Sequence, residues 1–308
     1  MTLQQLEYVM AVFRYRHFAK AAEHCNVTQP TLSSMVQKLE EELGLRIFDR
    51  SRQPIMPTQA GKLIIEQAWS VMVRAKKLRD TAEEQKKSVT GTFNIGVLPT
   101  IAPYLVPRFF PKMIDDHPEM DVRITEMKTA DIKKALMHGD IDAGILARID
   151  GLDDFVCHNL FYEQFMAYVA ATDRLANLRT IRVADLKDEF LWLLDEGHCF
   201  RDQLVKFCKL EAASMSKKAY NLGGIETFMR IVENGKGVTF IPELATMQLT
   251  ESQMRLVKPF AHPIPTRELV FMTSRHFIRA TLRDIIIERV RQSVPASMLT
   301  LARTSVRI

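Results

Sequence analysis

Two cysteines, Cys199 and Cys208, stand nine residues apart in a chain of 308 residues that holds four cysteines. A thiol can oxidise, or it can pack as a small hydrophobe, and its surroundings decide which. Around Cys199 the order Gly197-His198-Cys199-Phe200-Arg201-Asp202 puts a histidine directly beside the sulfur. Phe200 to Glu211 has helical spacing, with Leu204, Phe207 and Leu210 on one side. Cys199 then opens a helix, where backbone N–H groups and the macrodipole favour a thiolate. A cationic His198 would assist. Nine helical residues turn the chain by about 900° and advance it by about 13 Å, so the two thiols face opposite sides. A disulfide needs Cα atoms within about 7 Å, so this pair joins only if the helix unwinds. A reactive thiol near a partner that it reaches only by refolding has the makings of a redox switch. The same spacing also suits two buried, inert thiols.

The elements that position the pair read as α/β. Leu191-Trp192-Leu193-Leu194 is predicted as a buried strand and Asp195-Glu196-Gly197 as the turn that ends it. Composition is ordinary for a soluble protein, at 47% hydrophobic and 26% charged, and the length suits two or three domains. No apolar run approaches a membrane span, and Met1 to Glu7 has neither a basic nor an apolar leader region. These features predict a cytoplasmic protein with no membrane partner. Thiols there are reduced by default, so a disulfide would be transient or sensory. The net charge of +5 is uneven, with seven arginines against Asp284 and Glu288 between Arg275 and Ile308. That end reads as a solvated helical tail rather than a nucleic-acid surface.

At the other end, Leu3, Leu6, Val9, Met10 and Phe13 have helical spacing, and a short helix follows over Phe18 to Cys25. Thr28 is a good N-cap, Pro30 fits the first turn of a third helix, and Gly44 ends it. Leu32, Val36, Leu39 and Leu43 form its apolar stripe. The opposite face carries Gln29, Pro30, Thr31, Ser33, Ser34, Gln37 and Lys38, residues suited to base edges and phosphates in a major groove. This is a helix-turn-helix pattern. Leu45 to Ile55 reads as a β-hairpin wing with Arg50 and Arg52 at its tip. The first 58 residues hold seven Lys/Arg and six Asp/Glu, so local placement rather than net charge must carry DNA affinity. Cys25 is read as core.

Ala21-Ala22, Val27-Thr28-Gln29-Pro30-Thr31-Leu32-Ser33, Leu39-Glu40, Leu43-Gly44, Phe48-Asp49-Arg50 and Thr58-Gln59-Ala60-Gly61 together resemble the LysR-type transcriptional regulators. The resemblance spans the whole chain. It implies a recognition helix that reads double-stranded DNA with two-fold symmetry, and RNA polymerase as a partner.

From Thr58 the chain reads as helical to about Lys87. Ile64, Ala68, Val71, Ala75, Leu78 and Ala82 are spaced as a heptad seam, so residues 64–82 are expected to form a homodimer. The family resemblance extends this to a homotetramer. After Gly91 strands and helices alternate, which predicts a parallel-rich α/β sheet. The expected strands include Phe93 to Leu98, Asp121 to Glu126, Ala143 to Ala147, Phe165 to Ala170, Ala219 to Leu222 and Val238 to Ile241. The expected architecture is an N-terminal all-α winged helix-turn-helix over 1–58 and a linker helix with hinge over 59–90. An α/β bilobed regulatory domain over 91–308 follows. The last resembles periplasmic-binding-protein-like effector domains, with lobe I over 91–162 and 266–308 and lobe II over 163–265. Ligands in such folds sit between lobes, at strand C-terminal ends. Thr100 and Thr129 occupy such ends, and Thr129 is also a natural N-cap.

Glu196 to Gln203 with Phe207-Cys208, Leu98-Pro99-Thr100 with Pro103-Tyr104-Leu105, and Gly235-Lys236-Gly237-Val238 resemble the OxyR type within that family, a peroxide sensor. The resemblance implies Cys199 as peroxidatic and Cys208 as resolving cysteine. It also implies Thr100, Thr129, His198 and Arg267 around the peroxide, and a cellular thiol reductant to reset the pair. No metal or other cofactor is expected, and no enzymatic role. Cys157 reads as buried and inert, and the segment beyond Ser293 matches no part of the pattern. Two other readings use the same residues. One is a LysR-type regulator that answers a small-molecule inducer in the inter-lobe cleft. The other is a thiol peroxidase, against which the recognition helix argues.

Overall fold

A computed structural model of the chain describes residues 1–187, 189–195, 197–209 and 224–308. Two compact units meet in sequence between Lys86 and Lys87. The first unit packs α1 (Leu3–Tyr15), α2 (Phe18–His24) and α3 (Gln29–Leu43) around Val9, Val12, Ala21, Leu32, Val36 and Leu39. Thr28 caps α3 by accepting the Thr31 N–H, and Gly44 closes it with a φ of 67° that favours glycine. The wing is two short antiparallel strands, β1 (Phe48–Asp49) and β2 (Met56–Pro57). Next comes α4 (Gln59–Gln85), capped by Thr58, which accepts the Gly61 N–H at 2.8 Å. A Cβ on Gly61 would lie 2.0 Å from the Ile47 carbonyl oxygen, so only glycine lets this helix start against the backbone beside the wing. Ile64 and Ala68 pack onto their own unit, whereas Val71 and Leu78, the next members of the seam, are exposed.

The second unit is a mixed sheet clad with helices. In order it comprises β3 (Gly91–Val97), α5 (Ala102–Asp116), β4 (Met120–Glu126), α6 (Thr129–His138), β5 (Ala143–Ala147), β6 (Phe155–Val169) and α7 (Cys199–Cys208). Then follow α8 (Ile225–Asn234), β7 (Val238–Pro242), α9 (Glu251–Met254), β8 (Val257–Pro259), β9 (Ile264–Ser274), α10 (Ala280–Gln292) and β10 (Ser305–Arg307). The strand order is β4-β3-β5-β9-β6-β7, with β10 on β9 and β8 on β6. β6 pairs with β9 as far as Gln164 opposite Thr266, then with β7 from Phe165 opposite Pro242. One long strand therefore serves two halves of the sheet.

Several expectations are corrected. The sheet is not parallel-rich among the described residues. β3 pairs in parallel with β4 and β5, but β5–β9, β6–β9, β6–β7 and β6–β8 are antiparallel. The cause is that β6 and β9 cross between the halves in opposite directions. Phe155 to Gln164 is strand, where the sequence pattern predicts none. Leu191 to Leu194 forms one bridge, Leu191 to Val238, because the segment meets only the first residue of β7. The cysteine helix ends at Cys208 with Lys209 left-handed at a φ of 49°. The expected strand Ala219 to Leu222 lies outside the described residues. The basic end is not a helical tail, since α10 stops at Gln292 and the chain finishes in β10. Cys25 and Cys157 are free and half-buried rather than fully buried. Among the described residues no helix is long and apolar enough to cross a membrane.

Candidate functional site

Helix α7 begins at Cys199 and ends at Cys208, so the two thiols occupy its two ends. Nine steps along a helix leave them about 13 Å apart on opposite faces. Both are nevertheless buried, at 7% and 4% exposure, which requires α7 to be covered on two sides. Phe200 packs 4.6 Å from Phe165 on one side, and Phe207 lies edge-on to Phe260 elsewhere.

Burial pushes the Cys199 thiol up from its ordinary value, against the pull of the Arg267 charge and the Thr129 hydroxyl. The helix terminus was expected to yield a resting thiolate, but desolvation outweighs it and the resting sulfur carries its proton. Burial alone pushes Cys208 up to about 12. His198 precedes the helix with its side chain buried. Burial, then the Lys128 charge, hold its pKa below the ordinary histidine value. The expected cationic assistance is therefore replaced by a neutral imidazole at neutral pH.

Arg267 on β9 is fully buried and ties four segments together. Its Nη1 donates to Thr100 Oγ1 at 3.1 Å and its Nη2 to the Thr100 carbonyl at 3.0 Å. Its Nε donates to Glu163 Oε2 on β6 at 2.8 Å. Its Cζ lies 4.9 Å from the ring centre of Phe200, the residue after Cys199. Glu163 Oε1 in turn accepts the Leu244 N–H at 3.1 Å. Thr129 is the first residue of α6, not its cap, because Lys128 takes the N-cap position. The Thr129 hydroxyl is buried and completes no hydrogen bond among the described residues, yet it lies close enough to favour a Cys199 thiolate. Thr129 of α6 and Arg267 of β9 thus act on the Cys199 thiol, Thr100 of the β3–α5 connection holds Arg267, and His198 is buried next to Cys199 in the chain.

In the first unit, Gln29, Pro30, Thr31, Ser34, Gln37 and Lys38 are exposed on α3, and Ser33 is half-buried. Arg50 turns inward, donating to Ser33 Oγ at 3.2 Å and to Glu40 Oε2 at 3.1 Å while lying over the Phe18 ring. Glu40 also accepts the Ile47 and Phe48 N–H groups, fixing the wing to α3. Arg52 stays at the surface with Asp49 beside it at 3.1 Å.

Residues 3–62 match the bacterial regulatory helix-turn-helix family of lysR type, and residues 86–292 match the LysR substrate binding domain. The chain is 34% identical over 269 residues to the DNA-binding transcriptional dual regulator OxyR of Escherichia coli, covering 87% of this chain and 88% of that protein. The chain belongs to the LysR family of transcriptional regulators, among its OxyR-type members. A full-length OxyR variant from Pseudomonas aeruginosa superimposes with a TM-score of 0.76 at 32% identity, over 94% of this chain and 98% of that one. OxyR from Porphyromonas gingivalis is 41% identical with a TM-score of 0.66, over 71% of this chain and 99% of that one.

For this LysR-family chain, sequence reasoning missed Glu163, Glu40 and the part played by Phe200. A signal existed for the first. Glu163 follows the run Leu160-Phe161-Tyr162, and a charge in a buried strand demands a partner. Glu40 gave no such signal, because a helix of charged residues conceals which one turns inward.

Proposed function

We propose that this OxyR-type LysR regulator senses hydrogen peroxide through Cys199 and Cys208 and controls the transcription of oxidative-stress genes. One observation carries the reading. Thr129 and Arg267, the latter held by Thr100, act from separate elements on a buried thiol at one end of a helix whose other end holds a second buried thiol. Peroxide enters beside Cys199, where Thr129 supplies an unused hydroxyl and Arg267 and Thr100 orient the O–O bond. The sulfur attacks one oxygen and the O–O bond breaks. The departing hydroxide takes the thiol proton and leaves as water, and Cys199 becomes a sulfenic acid. Once α7 unwinds, the Cys208 sulfur displaces a second water and the disulfide forms. Two thiols thereby give two electrons to one peroxide. A cellular dithiol reductant restores both thiols, so the protein acts as a switch rather than as a catalyst.

The new disulfide closes a short loop and constrains the alternative conformation by about 2–3 kcal/mol. A bias of that size moves a two-state equilibrium by roughly 30- to 150-fold. In this reading the two lobes, residues 91–162 with 266–308 and residues 163–265, repack. The change passes through a homodimer seam over 64–82 within a homotetramer. It then alters how Gln29, Pro30, Thr31, Ser33, Ser34, Gln37 and Lys38, with Arg52 and the wing held by Arg50, meet half-sites on double-stranded DNA and present RNA polymerase. The protein works in the cytoplasm, where thiols rest reduced. Thiol accounting by mass spectrometry tests the reading, before and after one equivalent of hydrogen peroxide, with a Cys199→Ser chain in parallel. A Cys199–Cys208 disulfide within seconds to minutes, absent from the variant, is expected. Four unchanged thiols would overturn it.

A further inference from the structure

The last residues of the chain lie against the helix that carries Cys199. β10 pairs in parallel with the start of β9, Ser305 opposite Ile264 and Arg307 opposite Thr266. The Ile308 N–H donates to the Thr266 carbonyl at 3.0 Å, and Arg307 Nη1 donates to Glu268 Oε2 at 2.7 Å. These anchors flank Arg267 in sequence, while the Arg267 side chain itself turns to Thr100 and Glu163. From the other direction, Gln203 Nε2 on α7 donates to the Ile308 carbonyl at 2.6 Å. Gln203 is four residues after Cys199, on the same face of α7. It is buried, and among the described residues its Oε1 has no partner while its Nε2 is satisfied by the bond to the tail.

We propose that the C-terminal strand, residues 305–308, is a positioning element for the redox step, holding α7 wound through Gln203. The proposal rests on the peroxide reading above for its chemistry, but the hold itself exists before any oxidation. Cys208 cannot meet Cys199 until α7 unwinds, and unwinding moves Gln203 off the tail. A ten-residue helix is marginal by itself, so outside anchors decide how often it opens. The tail is a firm anchor because it is stitched to β9 by backbone pairing and by the Arg307–Glu268 ion pair. It therefore governs the second step, disulfide closure, and leaves the first step, sulfenic acid formation at Cys199, to Thr100, Thr129 and Arg267.

The test uses the full reduced chain, a chain ending at Arg303, and an Arg307→Glu chain, which repels Glu268 without touching α7. Hydrogen exchange by mass spectrometry is followed on peptides over 199–208 and on β3 and β5 as internal references. Exchange over 199–208 is expected to speed up about three- to tenfold in both variants, the worth of one buried hydrogen bond, with β3 and β5 unchanged. Disulfide closure should quicken by a similar factor, whereas sulfenic acid trapped in a Cys208→Ser background should form at the unaltered rate. If the shortened chain does not fold, Arg307→Glu carries both measurements, since Arg307 is largely exposed. Unchanged exchange over 199–208 would overturn the proposal, as would a uniform rise that includes β3 and β5, which marks a merely structural tail. Hydrogen exchange needs no oxidant, so it judges the tail separately from the peroxide chemistry.

Discussion

Glu163 and Arg267 stand opposite each other in the register of β6 and β9, and their side chains close a 2.6 Å ion pair with 2% and 1% of their surface exposed. The pair sits where both strands pass from one half of the sheet to the other. The arginine that faces Cys199 is therefore held by the same joint that links the halves. Removing the cation alone strands a buried carboxylate. Arg267→Met is expected to lower the unfolding free energy by about 3–5 kcal/mol in a urea titration. Adding Glu163→Leu to it should restore much of that loss, and a double variant as unstable as the single one would contradict the pairing.

Thr129 separates capping from chemistry. A capping hydroxyl lost to valine costs about 0.5–2 kcal/mol. This hydroxyl caps nothing and makes no hydrogen bond within ordinary geometry among the described residues, so Thr129→Val should leave stability within about 0.5 kcal/mol. Oxidation of Cys199 by peroxide, followed by stopped-flow or quenched mass spectrometry, should nevertheless slow by about tenfold or more. A stable variant that oxidises at the full rate would remove Thr129 from the site.

The buried Cys199 thiol titrates above the ordinary thiol range. Its alkylation in a Cys208→Ser chain should rise about tenfold per pH unit from about pH 7 to 9 without levelling. A plateau near neutrality would mean that Arg267 outweighs burial.

His198 gives a stability signature. Its native pKa is depressed, first by burial, so as pH falls the unfolded chain takes up the proton before the native one. The stability that is complete above about pH 6.5 is lost as pH falls through the native value. Melting temperatures measured from about pH 7 to 5 should fall less steeply in a His198→Gln chain. An equal slope in both would place the titration elsewhere.

Leu78 lies in the heptad seam and is 76% exposed in the single chain. Leu78→Asp is expected to raise the dimer dissociation constant by about tenfold or more in sedimentation, with the helical content kept. An unaltered association would move the dimer contact away from residues 64–82.

Local patterns were the legible part. The stripe Leu32, Val36, Leu39, the Thr28 and Thr58 caps and the Gly44 stop are all set within one or two helical turns, and each stands where its spacing predicts. The start of the cysteine helix was readable for the same reason, whereas its end at Cys208 was not. The strand at 155–164 was not, since its pairing partner lies more than a hundred residues away on β9 and its own alternation is weak. The reversal of the thiolate and imidazolium expectations has the same origin. Proximity in sequence placed His198 and a helix terminus beside Cys199, but the charge state depends on how much water the folded lobe leaves there.

The sequence by itself determined the helices of the first unit, the family, and the placing of two thiols too far apart along a helix to join. Those follow from periodicity, caps and local motifs, which act over a few residues. Only the tertiary structure decided which distant groups meet. Arg267 meets Thr100 across 167 positions and Glu163 across 104, and Gln203 meets Ile308 across 105. It also decided that burial raises the Cys199 pKa and that the Thr129 hydroxyl has no hydrogen-bond partner among the described residues. Such pairings and charge states are set by burial and by the crossing of β6 and β9, properties of the packed whole that no local stretch of chain contains.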